Sequence, residues 1–383
     1  MVPDKICVID YANIHRLIMR EAAVFSYWFQ GRAATMNTVM SAGPPLSRPP
    51  IRVGLIGHGL SGAYFHGPLL EAAKPFRIVL VATGRPESLH LRRDAPRCVR
   101  DPISVCSADD VDLVVVASPN HTHYPLGRAA LEAGKHVVID KPFALSAAEA
   151  GELIELARSR SLLLSVFQNR RLDGDFLALK RVLQDGELGE VLLFESRWDR
   201  FKKDLTPGWR YVPGPGAGLM WDLGPHLIDQ ALQLFGTPDR WIADLGVQRP
   251  RAAVDDYFEM TLWYGRMRCL LSASISVAGA RPRFAAHGTL GSYLTVGVDP
   301  YEAALRRGQQ PRDPAFRSRL PSIQADRIDV DNQHHPLEIE AGRWEEFYPD
   351  LASGILGGTA TASAAEHALG AIAMIESAHG RAA

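Results

Sequence analysis

An α/β domain built on a doubly wound parallel sheet, followed by an α+β domain with a large, mainly antiparallel sheet, is the fold class this chain predicts. Three observations lead there. From residue 51 to about 167, short apolar runs alternate with helical patterns, as in β-α-β units whose parallel strands are covered on both faces. After about residue 170 the strand-like runs lengthen and lose the helices between them, as consecutive antiparallel strands do. The 383 residues, 46% hydrophobic and 22% charged, supply enough apolar surface for two cores.

Residues 1–50 have no clean periodicity and lack the basic start, apolar middle and small-residue cleavage site of an export signal. They end in SAGPPLSRPP, a linker composition, and are expected to form a disordered extension that a start at Met40 would remove without loss. A partly amphipathic helix across YANIHRLIMREAAVFSYWF, packed on the body, is the alternative. In a first domain at 51–168, the strands are IRVGLIG, RIVLVATG, DLVVVAS, KHVVID and LLLSVF, with helices SGAYFHGPLLEAA, HYPLGRAALEAG and SAAEAGELIELARSR between them. In a second domain at 169–383, EVLLFESRWDRF, DDYFEMTLWYG, MRCLLSASISV and GSYLTVGV read as strands, and DGDFLALKRVLQDG, PHLIDQALQLFG and ATASAAEHALGAIAMIESAHG as helices beside them. The polar, proline-containing stretch RRGQQPRDPAFRSRLPSIQADRIDVDNQHH reads as a loop excursion. There is no internal repeat.

A formal charge of -1 argues against a phosphate-backbone binder, so no nucleic-acid partner is expected. Four widely spaced cysteines, Cys7, Cys98, Cys106 and Cys269, form neither a metal pair nor a disulfide framework, and a reducing, cytoplasmic setting fits. No uninterrupted apolar stretch reaches the ~18–20 residues of a membrane span. The histidines of HTH and HH lack the partner spacing of a zinc site, so no metal is expected either.

Chemistry concentrates at the carboxyl ends of the parallel strands, where ligands of such sheets lie. Gly57, Gly59 and Gly62, with Leu60 and Ser61 between them, form G-x-G-x-x-G after the first strand and at the start of a helix, which favours a dinucleotide pyrophosphate. The second strand ends Ala82, Thr83, Gly84, Arg85. A small hydroxyl and a guanidinium there suit a 2'-phosphate, which favours NADP(H) over NAD(H), while Glu87 leaves a ribose contact open. Ser118, Pro119, Asn120 and His123 follow the DLVVVAS strand and are placed to touch the cofactor. Asp140 and Lys141 end KHVVID facing the same crevice, and a desolvated lysine can exchange a proton with a hydroxyl. In WDLGPHLIDQ, Asp222 and His226 stand four apart, so a helix puts them on one face, with His226 the proton carrier and Asp222 orienting it or a hydroxyl. Asn169, Arg170 and Arg171 after LLLSVF, with Trp209 and Arg210 in TPGWRY, are candidate substrate contacts. Each of these residues has a plainer reading as a helix cap, a core histidine or a solvated surface charge.

Together, GLIGHGLSG, SPNHTH, DKP and WDLGPHLIDQ, in that order, resemble the Gfo/Idh/MocA oxidoreductases, the family of glucose-fructose oxidoreductase and inositol dehydrogenase. The resemblance runs from about residue 51 to the C-terminus. FHGPLL, GKHVVIDKP, NRR and DLGPHLIDQALQLFG are most similar to its NADP-dependent scyllo-inositol dehydrogenase branch. The resemblance implies an N-terminal Rossmann domain, an open C-terminal sheet that pairs copies into a homodimer or homotetramer, and an active site in the cleft between the domains. It also implies catalytic roles for Lys141, Asp222 and His226, and a polyol or sugar substrate. Asp140 departs from the family's Glu, and Gln168 and Leu172 depart from the branch near the expected substrate side. A sugar (aldose) dehydrogenase or reductase, and a non-catalytic NADP-binding sensor, are the competing readings.

Overall fold

The computed structural model describes residues 49–86, 96–204, 208–279, 281–357 and 364–380. The expectations for residues 1–48 and for Glu87 lie outside them. The first sheet is parallel, with β1 (Ile51–Ile56), β2 (Phe76–Ala82), β3 (Arg97–Val99), β4 (Leu113–Val116), β5 (His136–Asp140) and β6 (Leu164–Phe167) in the order β3-β2-β1-β4-β5-β6. All four residues of β4 are buried, as a strand covered on both faces requires. A π-helical turn (Gly62–His66) running into α1 (Gly67–Ala72), then α2 (Ile103–Cys106), α3 (His123–Glu132) and α4 (Ala147–Ser159) make the crossings. Ser146 caps α4, its Oγ accepting the Glu149 N–H at 3.1 Å, while Glu149 reaches back to the Leu145 N–H.

The second sheet has eight strands in the order β14-β13-β12-β11-β7-β10-β9-β8. They are β7 (Val191–Asp199), β8 (Arg240–Gly246), β9 (Tyr257–Tyr264), β10 (Met267–Ser274), β11 (Phe284–Gly288), β12 (Gly291–Val296), β13 (Ile323–Asp329) and β14 (His334–Ile339). Every neighbouring pair is antiparallel except β7 and β10. Around it stand α5 (Gly174–Gln184), α6 (Leu219–Phe235), α7 (Tyr301–Arg306), α8 (Phe347–Gly357) and α9 (Glu366–His379). No helix of the described residues is long and apolar enough to cross a membrane.

One expectation is overturned. The stretch read as a loop excursion holds α7's last residue, all of β13 and the start of β14. An edge hairpin leaves most of its side chains at least partly in water, so its composition resembles that of a loop.

The second half of the chain also packs on the first sheet. Tyr301, Leu305, Trp344, Tyr348 and Leu351 share one core with Val53, Leu55, Val81 and Val115, so residues after 300 cover one face of the parallel sheet. On the other side, α9 packs against both α4 and α6. The crevice between the sheets is therefore closed at its base by shared core.

Candidate active site

The site forms where β1, β4 and β5 end side by side. Gly57 turns the chain out of β1 at φ +94°, where a Cβ would also lie 2.5 Å from the Ala117 carbonyl oxygen. Gly62 lies so close beneath that a Cβ on it would overlap the Gly57 carbonyl oxygen. Gly59 is different: a Cβ there meets nothing within 4 Å, and Leu60 beside it is exposed. A tightly wound loop with open space above its middle, at a helix start, fits a pyrophosphate. At the end of β2, Thr83 is buried and its Oγ1 accepts the Arg85 N–H at 3.0 Å, while Arg85 is exposed at the rim.

Several predicted cofactor contacts are turned inward instead. Asn120 donates through Nδ2 to the Gly216 carbonyl at 2.9 Å, tying the turn after β4 to the loop before α6. His123 is buried between two carbonyl oxygens. Asp140 accepts the Lys141 N–H at 2.7 Å and faces His66, whose Nδ1 lies 2.7 Å from the Tyr348 hydroxyl. Burial would raise the Asp140 carboxyl, but His66, Ser61 and Lys141 outweigh it and hold it far below the usual carboxylate range. Of the group after β4, Ser118 and Pro119 remain accessible, with the Ser118 Oγ 2.5 Å from that of Thr122.

Lys141 pairs across the crevice rather than with its neighbour Asp140. Its Nζ donates to the Asp222 backbone carbonyl at 2.7 Å and reaches Asp222 Oδ1 at 3.3 Å. The helix bearing Asp222 is fixed at its start by Asp255, which accepts the Leu219 N–H at its backbone oxygen and the Met220 N–H at Oδ2. Gly218, at φ +100°, leaves room for that carboxylate. Arg210 Nε approaches the same Asp222 oxygen at 3.5 Å, with its guanidinium over Trp209. Burial pushes the Asp222 carboxyl up, and Lys141, Arg210 and Arg200 together hold it down, so it is ionised.

His226 lies one turn further along α6, as the spacing predicts. The expectation that Asp222 orients it is not met, because Asp222 faces Lys141 and Arg210. The His226 ring packs instead on Trp198, centroids 6.0 Å apart, and the guanidinium groups of Arg170 and Arg283 also lie over Trp198, at 4.7 and 4.6 Å. Its Nδ1 is buried without a hydrogen-bond partner among the described residues. Burial, reinforced by Lys141, Arg170, Arg283 and Arg200, drives the ring well below the usual histidine range. The surrounding cations favour the uncharged ring.

Of the predicted substrate contacts, Arg210 and Trp209 stand partly exposed beside Asp222. Arg170 does not: it is buried, ion-paired with Glu302 and Asp173. Asn169 is buried, and Arg171 forks onto Asp229 with bonds of 2.8 and 2.5 Å. Sequence reasoning missed Arg200, which lies over Trp198 at 5.8 Å and is in no ion pair among the described residues. A signal existed, since Arg200 continues the parity of the buried positions Phe194, Ser196 and Trp198, where a charge is out of place. For Asp255 there was none.

A buried histidine near a Lys–Asp pair, at the carboxyl edge of a doubly wound sheet next to a glycine-rich crossing, suits an oxidoreductase. Comparison with known proteins agrees. Residues 51–168 match the description "Oxidoreductase family, NAD-binding Rossmann fold", and residues 176–294 match "GFO/IDH/MocA C-terminal domain". The chain belongs to the Gfo/Idh/MocA family of oxidoreductases. It is 34% identical over 86% of its length to the scyllo-inositol 2-dehydrogenase (NADP(+)) IolW of Bacillus subtilis, spanning 92% of that protein. It is 43% identical over 68% of its length to the uncharacterized oxidoreductase YdgJ of Escherichia coli, spanning 75% of it. The structure of the putative oxidoreductase yvaA from Bacillus subtilis superposes with a TM-score of 0.82 at 33% identity, covering 87% of this chain and 96% of that one.

Proposed function

We propose that the chain is an NADP(H)-dependent oxidoreductase acting between a secondary alcohol and a ketone of an inositol or related sugar. The observation that carries this is the buried His226 one helical turn from Asp222, whose carboxylate pairs with Lys141 at the carboxyl edge of the parallel sheet. The name of the Bacillus subtilis relative and the Thr83–Arg85 end of β2 support the cofactor and the substrate class.

Lys141, Asp222 and His226 are the catalytic residues of this reading. A nicotinamide cofactor, if held at this edge of the sheet, would supply the hydride acceptor or donor. In the oxidising direction His226 Nε2 takes the hydroxyl proton, and in the reducing direction it returns one. The Lys141 ammonium donates a hydrogen bond to the same oxygen as charge develops there. Asp222 holds that ammonium in place and balances it against Arg210. Arg200 and Arg210 supply donors for the remaining hydroxyls, and Trp209 an apolar flank.

A sugar substrate is the second reading, favoured by 29% identity over 199 residues to the D-glucoside 3-dehydrogenase of Escherichia coli. The outer face of the second sheet is the proposed homodimer or homotetramer contact, and the cytoplasm the proposed location. The experiment is incubation with NADP or NAD and a panel of inositols and aldoses, following nicotinamide absorbance. Reduction of NADP by one polyol, lost in Lys141→Ala, supports the reading. Silence across the panel while calorimetry records NADP binding overturns it in favour of a sensor.

A further inference from the structure

His123 opens α3 and is buried, 1% exposed. Its Nε2 lies 2.9 Å from the Ser118 carbonyl oxygen and its Nδ1 2.7 Å from the Pro142 carbonyl oxygen. Those oxygens belong to different loops. Ser118 heads the turn after β4, on the proposed cofactor side, and Pro142 directly follows Lys141. One imidazole thus spans the gap between the cofactor loop and the lysine loop, and touches neither the crevice nor Asp222.

We propose that His123 is a positioning residue, a ring that pins the Lys141–Pro142 loop to the Ser118 loop so that the lysine amine is delivered to Asp222. This rests on the proposed hydride-transfer function only for its kinetic consequence; the placement of the amine stands apart from it. Both oxygens are acceptors, so a singly protonated ring donates to only one of them, and the doubly protonated ring donates to both. Burial opposes the second proton, the two carbonyls and Asp140 favour it, and Lys141 opposes it, with a net shift below the usual histidine range. Near neutral pH one donated bond and tight packing make the pin.

The test uses the full chain with His123→Phe, which keeps ring volume and removes both nitrogens, and His123→Gln, which returns one donor. The first readout needs no substrate. Acetic anhydride labelling of Lys141, followed by mass spectrometry, is compared with labelling of Lys135, whose Nζ is bonded to the Ala108 carbonyl at 2.8 Å. Labelling of Lys141 at least ~3-fold faster in His123→Phe, unchanged at Lys135 and partly reversed in His123→Gln, is the expected result. Unchanged labelling of Lys141, or equal acceleration at both lysines, overturns the proposal.

The second readout is kinetic. The expected split is a kcat lowered ~10-fold or more, with the Kd for NADPH within ~3-fold of wild type, because a misplaced amine costs turnover and not cofactor binding. Equal losses in both would reduce His123 to a general structural residue. If wild type turns over no polyol, the functional reading falls, and labelling alone decides the role of His123.

Discussion

Replacing Lys141 by Ala removes a cation from a largely buried carboxylate, 22% exposed, a change that costs up to about 3–5 kcal/mol when no other partner exists. Here Arg210 remains 3.5 Å from Asp222. The variant is therefore expected to keep its unfolding midpoint within a few degrees while kcat falls ~10²–10³-fold, as loss of a donor to the developing charge does. A collapse of the midpoint, seen by calorimetry, would show that Lys141 serves folding instead. His226 allows a sharper expectation. Burial and four cations disfavour its protonation, so its pKa lies well below 6.5 and the base form persists as pH falls through that value. The kcat/KM for alcohol oxidation should accordingly stay level through pH 6.5 and decline only well below it; a limb centred near 6.5 would contradict this. The three proposed catalytic residues were legible in the sequence, Lys141 from its place at a strand end and Asp222 and His226 from their spacing on one helix face. Their partnerships were not. That Asp222 faces Lys141, and that His226 leans on Trp198, depends on contacts across 81 and 28 residues of chain, which no local pattern records.

At the scale of elements, the glycine crossing makes its own prediction. An alanine at a strain-free glycine gains about 0.4–1 kcal/mol through the unfolded chain. At Gly62 the added Cβ overlaps the Gly57 carbonyl oxygen, and overpacking of that kind costs about 1–3 kcal/mol or more, so the loss wins. Gly62→Ala should weaken NADP binding by at least ~10-fold in a calorimetric titration, with the loop pushed outward; unchanged affinity would mean that this crossing does not seat the cofactor. Elements were readable where periodicity is strong, as in β4 and β5 with every central residue buried. Periodicity failed for β14, an edge strand with no buried residue, and for its neighbour β13, where only Ile323 and Ala325 are buried. It also missed β8 and β11, where ADLG and HG at the ends look like turns.

Over the whole molecule, the second sheet offers one face to the helices and one to solvent. Leu193, Glu195 and Arg197 of β7, Leu270 of β10, and Thr261 and Trp263 of β9 lie partly exposed on the outer side, out of step with the buried positions. Eight strands about 4.8 Å apart and about 20 Å long present roughly 750 Å², near the ~800 Å² per partner of a standard interface. Light scattering should return a multiple of the 42.0 kDa chain mass, and Leu270→Glu, at the centre of that face, should return the monomer. A monomeric wild type would leave this face without that role. The two-sheet plan was legible from the change of grammar near residue 170. The sharing of core between the halves was not, because a residue such as Trp344 carries no mark of which sheet it will meet.

That shared core ties the order of synthesis to the order of folding. The strands of the parallel sheet leave the ribosome first, but the side chains that cover one face of it, from Tyr301 to Ala352, come last. At about 5–20 residues per second the interval is roughly 10–40 s. Throughout it, Val53, Leu55, Val81 and Val115 have only α1 residues such as Leu69 and Leu70 over them, and the rest of that apolar face waits uncovered on a tethered nascent chain. The cofactor half of the protein is thus first made and last finished, and its early life belongs to whatever shields it until the far end of the chain arrives.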